Sequence, residues 1–407
     1  MRLTPTELSR EAAATGFQSD LLEKVIRLIE LLEAIRSHPF LGTRVALKGG
    51  TALNLFVFDV PRLSVDVDLN YIGTADRDGM LSDRPKVEQA VQAVCGRLGI
   101  RTRRVPTEHA GGKWLLSYQA ASGANATLEL DVNFMLRTPL WPTVRADSRA
   151  VGTFAARNIP LLDLNELAAG KLAALLARSA ARDLFDARHV LRDTRLDAAK
   201  LRLGFVVYGG VNRKDWRTAS VDDVKADANE VATMLIPLVR GDAAPNRADL
   251  SRWTRALVSD CRELLSVVLP LTMNEREFLS RLNDRGEIVP ESLAGNGEMQ
   301  ALIRNHPRES CTWSLPWGAT SRQSVWTTRG CCPRSSSGNR SIRPHRISRS
   351  ASRTSCWPAI PTALRDPGRP HALHDGLSQR GRSQATLPRV GGGDRAMGGY
   401  SGSHRWR

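Results

Sequence analysis

Two aspartates, two residues apart, set the chemistry this sequence can attempt. In Arg62-Leu63-Ser64-Val65-Asp66-Val67-Asp68-Leu69-Asn70, polar and apolar residues alternate without a break, and a β-strand sends successive side chains to opposite faces. The alternation predicts a strand with Arg62, Ser64, Asp66, Asp68 and Asn70 on one face and aliphatic residues on the other. The two carboxylates then stand roughly 7 Å apart, and neighbouring like charges favour protonation unless a cation joins them. Mg²⁺, a hard ion that takes carboxylate and phosphate oxygens together, suits such a pair. A solvated strand face that happens to carry two Asp explains this segment equally well when it is taken alone.

Two further segments favour the metal reading. Leu128-Glu129-Leu130-Asp131-Val132-Asn133-Phe134 alternates as cleanly and offers Glu129 and Asp131 on one face. Asp131, central in its strand, is the better candidate for a third carboxylate in a two-metal site for in-line phosphoryl or nucleotidyl displacement. Upstream, Lys48-Gly49-Gly50-Thr51 lies at a strand-to-helix junction. Glycines there let the backbone approach a phosphate, and helix N-terminal amides point donors at an anion. A Gly-Gly pair is usually an ordinary turn, but shortly before a paired-carboxylate strand it gives one part for a triphosphate and another for the metals.

A third block is helical. On a continuous helix at ~100° per residue, Arg178 and Arg182 fall within about 20° of Lys171, a basic stripe suited to a triphosphate. Asp183 and Asp186 lie further round, where they pair with those cations or orient an acceptor hydroxyl. A solvated face laced with ion pairs is the simpler alternative.

Leu47-Lys48-Gly49-Gly50-Thr51-Ala52-Leu53, followed by Arg62 to Leu69, resembles the signature of the AbiEii-type abortive-infection nucleotidyltransferase toxins, within the DNA polymerase β-like nucleotidyltransferase superfamily. Asn165-Glu166-Leu167-Ala168-Ala169-Gly170-Lys171, continuing through Arg178 to Arg182-Asp183-Leu184-Phe185-Asp186, is similar to that family's downstream helical motif. The resemblance covers about residues 5 to 306. It implies that Gly49, Gly50 and Thr51 grip phosphate and that Ser64, Asp66 and Asp68 form the paired-carboxylate motif. Lys171 and Asp183 match the later basic and acidic positions. It further implies an NTP substrate, a tRNA acceptor end in some members, a role in toxin–antitoxin phage defence, and a winged-helix antitoxin encoded nearby. Mg²⁺-dependent nucleotidyl transfer to RNA is the expected activity. A non-catalytic nucleotide- or RNA-binding protein and a small-molecule nucleotidyltransferase are the alternatives.

The elements that must position these groups are legible in outline. Leu21 to Ile35 recurs at helical spacing within a helical stretch over residues 1 to 40. A short strand at Val45 to Leu47 leads to a brief helix from Thr51 to Val57, and Pro85 to Leu98 is a further amphipathic helix. Val105, Trp114 to Tyr118 and Thr127 to Phe134 supply strand material. Helical patterns dominate from Glu166 to Leu191, Val221 to Val239 and Leu250 to Val268. The expected fold is α+β and bilobed. A polymerase-β-like mixed-sheet lobe (1–150) precedes a mostly helical lobe (151–306), and a disordered tail (307–407) follows.

Composition divides at the same point. The chain has 407 residues and a net charge of +16, but the last 101 residues hold 17 Arg, no Lys and 4 acids, so the first 306 are close to neutral. Arg, Ser, Pro and Gly make up 54 of those 101 and Ile, Leu, Val and Phe only 10, too few to offset the entropy of ordering. Trp and Cys without Lys fit an out-of-frame translation of a G+C-rich gene starting near Pro307. An Arg-rich nucleic-acid-binding extension is the alternative. His306, Cys331, Cys332, His371 and His374 are metal-ligand types but lack the paired spacing of a zinc site. No apolar run approaches the ~20 residues of a membrane helix, and no secretory signal opens the chain. The expected compartment is the cytoplasm, with Cys95 and Cys261 as unpaired core thiols. His189 reads as a helix C-terminal histidine favoured by the dipole. Arg101, Arg103, Arg104 and Lys113 could meet an RNA backbone, or simply form a polar strand face.

Overall fold

The structure, a computed structural model, describes residues 3–105 and 111–306. The expectations of a disordered or frameshifted tail over 307–407, with Cys331, Cys332, His371 and His374, lie outside the described residues.

The helical start is two helices, α1 (Pro5–Thr15) and α2 (Ser19–Ser37). A Thr4–Glu7 capping box and Pro5 open α1, and Gly16 closes it at φ 73°, a left-handed conformation natural to glycine. Helix α2 buries Leu22, Val25, Ile26, Ile29 and Leu32 at helical spacing.

Among the described residues, seven strands form one mixed sheet: β1 (Val45–Lys48), β2 (Asp66–Tyr71), β3 (Arg101–Arg104), β4 (Gly112–Gln119), β5 (Asn125–Asn133), β6 (Val144–Ala146) and β7 (Ile159–Leu161). Their spatial order is β3-β4-β5-β2-β1-β7-β6. β2 runs antiparallel to β1 and parallel to β5, and β4 is antiparallel to both β5 and β3. The sheet takes β7, past residue 150, beside β1. One face packs under α2 and the long helix α4 (Arg77–Arg97), with the one-turn α3 (Gly49–Ala52) lying across from them between β1 and β2. Helix α4 starts well ahead of Pro85 because the Asp76 side chain accepts from the Gly79 amide at 2.7 Å and caps it there.

The alternating segment is a sheet strand only from Asp66 onward. Leu63 N donates to Leu238 O at 2.8 Å and Arg62 pairs with Val239, so residues 62–65 are tied to the C-terminal half of the chain instead of to a neighbouring strand.

The predicted helix from Glu166 to Leu191 is two helices, α5 (Leu164–Arg178) and α6 (Ala181–Val190), separated at Ser179, which takes φ 51°. Helix α7 (Ala198–Gly210) packs on α5. The helix predicted over Val221 to Val239 is present only in part: Ser220 begins the single turn Val221–Asp223, and a contiguous but irregular helical run follows over Ala228–Glu230, Val231–Leu235 and Ile236–Leu238, the last containing Pro237, a residue without an N–H. Helices Leu250–Leu264, Met273–Arg285 and Gly297–Asn305 follow.

Cys95 and Cys261 are buried and unpaired, and burial pushes their thiols up to about 11 and about 12. The expected dipole-favoured imidazolium at His189 is corrected. Burial lowers its pKa, its Nδ1 lies 2.8 Å from Phe185 O, and its ring packs 4.2 Å from the Phe185 ring. His306 is buried, and among the described residues neither of its ring nitrogens has a hydrogen-bond partner. Among the described residues, no helix is long and apolar enough to cross a membrane.

Candidate active site

Sheet register decides which acids meet. Lys48 on β1 stands opposite Asp68 on β2, Asp68 opposite Asp131 on β5, and Asp131 opposite Lys113 on β4. Neighbouring strands are about 4.8 Å apart, so the row reads cation, acid, acid, cation. One pleat away, Asp66 stands opposite Glu129. All of these line a cleft of about 580 Å³ that also takes in Gly49, Gly50, Ser64, Lys171, Arg178, Arg182 and Asp183. Asn70, further along the same face, is buried, and its carboxamide has no partner among the described residues.

The four carboxylates are engaged differently. Glu129 is bound by Lys113 at 2.7 Å. Asp66 has Arg182 at 3.5 Å. Asp68 makes no hydrogen bond or ion pair among the described residues. Burial raises the Asp66 carboxyl above its ordinary value, Arg182 opposes that, and the charges of Asp68 and Glu129 add to it. Among the described residues, no three His, Cys, Asp or Glu side chains converge closely enough to hold a metal ion unaided. The three-carboxylate site expected from Asp66, Asp68 and Asp131 is thus assembled on one face but not drawn together, with Asp66 leaning to Arg182.

The glycine turn is shaped around Asp68. Gly49 takes φ 74°, and a Cβ there would collide with the Asp68 carboxylate. Gly49→Ala should therefore cost about 1–3 kcal/mol through backbone strain and lower transfer activity more than tenfold, roughly 1.4 kcal/mol of barrier, by displacing Asp68. Thermal melts and steady-state kinetics check both, and a variant with unchanged turnover contradicts the close fit. Gly50 is equally confined, its Cα facing Ser64 Oγ and the Arg62 guanidinium. Thr51 does not reach the cleft: it is fully buried and its hydroxyl donates to Asp66 O at 2.5 Å. Its side chain ties the turn to β2. Lys48 is half-buried at the cleft wall.

Behind the acids runs a buried ladder of charge. Arg62 donates from Nε and Nη2 to Asp186 at 2.8 and 2.6 Å. Lys171 Nζ sits 2.9 Å from both Asp186 and Asp183. Arg178, exposed itself, closes the ladder from the solvent side with two bonds to Asp183, at 2.6 and 3.1 Å. Asn54 Nδ2 joins Asp186 at 3.0 Å to the Gly50 carbonyl at 2.9 Å. Burial alone would raise both carboxyls, but Arg62 and Lys171 hold Asp186 well below the usual carboxylate range, and Lys171 and Arg178 hold Asp183 below its own. Burial would lower the Lys171 ammonium, and Asp186 and Asp183 outweigh it.

This arrangement corrects the basic stripe. The break at Ser179 puts Arg182 on α6, where it meets Asp66. Lys171 and Arg178 are neutralised by Asp183 and Asp186 instead of standing bare for a triphosphate. Sequence reasoning anticipated that Asp183 and Asp186 pair with these cations, as both do with Lys171, but missed the Arg62–Asp186 pair and missed Asn54 altogether. Only the spacing of Asn54 four residues after Gly50, one helical turn, could have pointed to it.

Leu136, Leu162, Leu167 and Ala174 give the cleft an apolar part of its lining, which also includes Glu166 and Tyr208. Glu166 accepts from Tyr208 Oη at 2.8 Å and Leu140 N at 3.1 Å. Burial pushes its carboxyl from 4.5 up to about 7, the hydrogen bonds opposing it. A carboxyl raised in the folded state binds more protons there than in the unfolded chain. Its stabilising effect is complete below about pH 4.5 and lost as pH rises through about 7. Denaturation free energies should accordingly decline across that window, by at most about 3 kcal/mol, and Glu166→Gln should flatten the decline. An unaltered pH slope in the variant would contradict it.

The family described as nucleotidyl transferase AbiEii toxin, type IV toxin–antitoxin system, matches residues 30–259. No curated protein sequence matches the chain. Among solved structures, the chain is similar to MenT4, a nucleotidyltransferase toxin from Mycobacterium tuberculosis H37Rv, with a TM-score of 0.52 and 18% identity. That likeness covers 75% of this chain and 100% of MenT4, and at such identity it concerns the fold.

Proposed function

The chain belongs to the AbiEii nucleotidyltransferase toxin family of type IV toxin–antitoxin systems, and from that premise we propose that it transfers a nucleotide from an NTP to an RNA acceptor hydroxyl, such as a tRNA 3′ end, with Mg²⁺. The observation that carries the proposal is the register of Asp68 against Asp131 on parallel strands, with Asp66 on the same face and no hydrogen bond or ion pair to the Asp68 side chain among the described residues. The donor set fits a hard divalent ion: all-oxygen ligands, adjacent like charges, and an Asp66 carboxyl whose raised pKa marks a charge in need of a cation. Asp66, Asp68 and Asp131 would hold it. When bound, the ion neutralises phosphate charge and lowers the pKa of the acceptor hydroxyl.

The chain's own groups do the rest. The acceptor oxygen attacks the α-phosphorus, the bond to the bridging oxygen breaks, and pyrophosphate leaves. Lys48 and Arg182 flank the acids and meet phosphate charge, with the Gly49 and Gly50 backbone and Ser64 beside them. The ladder through Asp183 fixes the Lys171 ammonium and Arg178 at the cleft wall, toward the leaving group. The apolar part of the lining suits a nucleobase. In this reading residues 1–150 carry the catalytic lobe and 151–306 the lobe that closes the cleft. The toxin acts in the cytoplasm as part of an abortive-infection defence, restrained by a winged-helix antitoxin encoded nearby.

Purified protein, each α-³²P-labelled NTP, bulk bacterial tRNA and Mg²⁺ test this together. Label should enter RNA and vanish with EDTA. Label that enters no RNA, or enters it undiminished in EDTA, overturns the proposal.

A further inference from the structure

The sheet face that bears the acids continues past them to a basic edge. Asp66 stands opposite Glu129, Glu129 opposite Leu115, and Leu115 opposite Arg103 on the edge strand β3. In the next row, Thr127 meets Ser117 and Ser117 meets Arg101. Arg103 is thus three strand spacings from Asp66, about 14 Å.

The two sides of β3 differ in how their arginines are used. Arg104, turned to the other face, is bonded to Glu88 of α4 at 3.2 Å. Arg101 and Arg103 are exposed and make no hydrogen bond or ion pair among the described residues. Between them and the acids lie Lys113, its charge already matched by Glu129, and half-buried Leu115.

We propose that this open face, from Asp66 out to Arg101 and Arg103, is the docking track for the single-stranded end of the RNA acceptor. Arginine forks at the outer edge hold backbone phosphates, Leu115 offers an apolar seat for a ribose or base, and the terminal hydroxyl reaches the acids. Negative charge at the reacting end and positive charge several residues back match a polyanion that must be anchored away from the bond it makes. The inference rests on the RNA-acceptor reading above.

The test is Arg101→Gln/Arg103→Gln in the full chain, assayed with α-³²P NTP and bulk tRNA over a range of salt. KM for tRNA should rise about tenfold or more, with kcat and the KM for NTP held. The salt dependence should weaken by about 1.4 in log–log slope, the share of two single-strand phosphate contacts. Arg101→Lys/Arg103→Lys should keep most of the slope. An unchanged KM and slope in the Gln variant, with wild type active on RNA, overturns the track alone. Wild type inactive on RNA overturns the acceptor reading and the track together. Loss of antitoxin binding with RNA kinetics intact assigns the face to a protein and also overturns the track.

Discussion

Asp66→Ala and Asp68→Ala should each lower nucleotide transfer at least about a thousandfold, the scale of losing a metal's charge stabilisation. They should do so without unfolding the protein. Among the described residues Asp68 has no partner to lose, and the Asp66 carboxyl is raised by burial and by its acidic neighbours, so its charge opposes folding. Its raised pKa means its contribution fades as pH rises through that value, and removing it should leave the melting temperature at neutral pH unchanged or slightly higher. Activity and stability then move apart, which a merely structural role for these residues would not produce. Radiolabel transfer and thermal melts on the same preparations measure both. Near wild-type labelling by either variant would remove the catalytic assignment.

Asp186→Ala should be the most destabilising single change at the site. Asp186 is fully buried between Arg62 and Lys171, and deleting it strands the buried Arg62 guanidinium and leaves Lys171 with Asp183 alone, a cost of about 3–5 kcal/mol. The Gly50 carbonyl also loses its link, through Asn54, to the helical half of the chain, so residual activity should fall as well. Because Asp186 and Asp183 titrate below their ordinary range, the stability they supply is present at neutral pH and lost as acid approaches those lowered values. Urea denaturation at pH 7 and at acid pH measures this. A loss under about 1 kcal/mol, the range of exposed pairs, would show that the ladder is not the buried brace described here.

The acids were legible because a strand has a period of two. Glu129 and Asp131, like Asp66 and Asp68, could be assigned to one face from alternation alone, and the parallel pairing of β2 with β5 then put Asp68 beside Asp131. What alternation cannot reveal is where a segment leaves the sheet. Residues 62–65 keep the pattern yet bond to Leu238 and Val239, a partnership between distant parts of the chain. The broken helix was hidden for a local reason. Ser179 adopts the left-handed conformation that a glycine would have advertised, so the angular argument ran straight through it and put Arg182 on the wrong helix. Strands β6 and β7 are three residues each, too short to show a period. The rise of Glu166 toward neutral pH comes from burial, opposed by hydrogen bonds from Tyr208, Leu140 and Trp141, and both the burial and those distant partners exist only in the folded chain.

The central claim is that Asp66, Asp68 and Asp131 together hold divalent metal beside a nucleotide. It is tested most directly by the anomalous-scattering map of a crystal grown with Mn²⁺ and a non-hydrolysable NTP. The account predicts a metal peak held by Asp66, Asp68 and Asp131, with the triphosphate at the Gly49–Gly50 turn. A nucleotide bound in the cleft with its metal held away from Asp66 and Asp68 would contradict it.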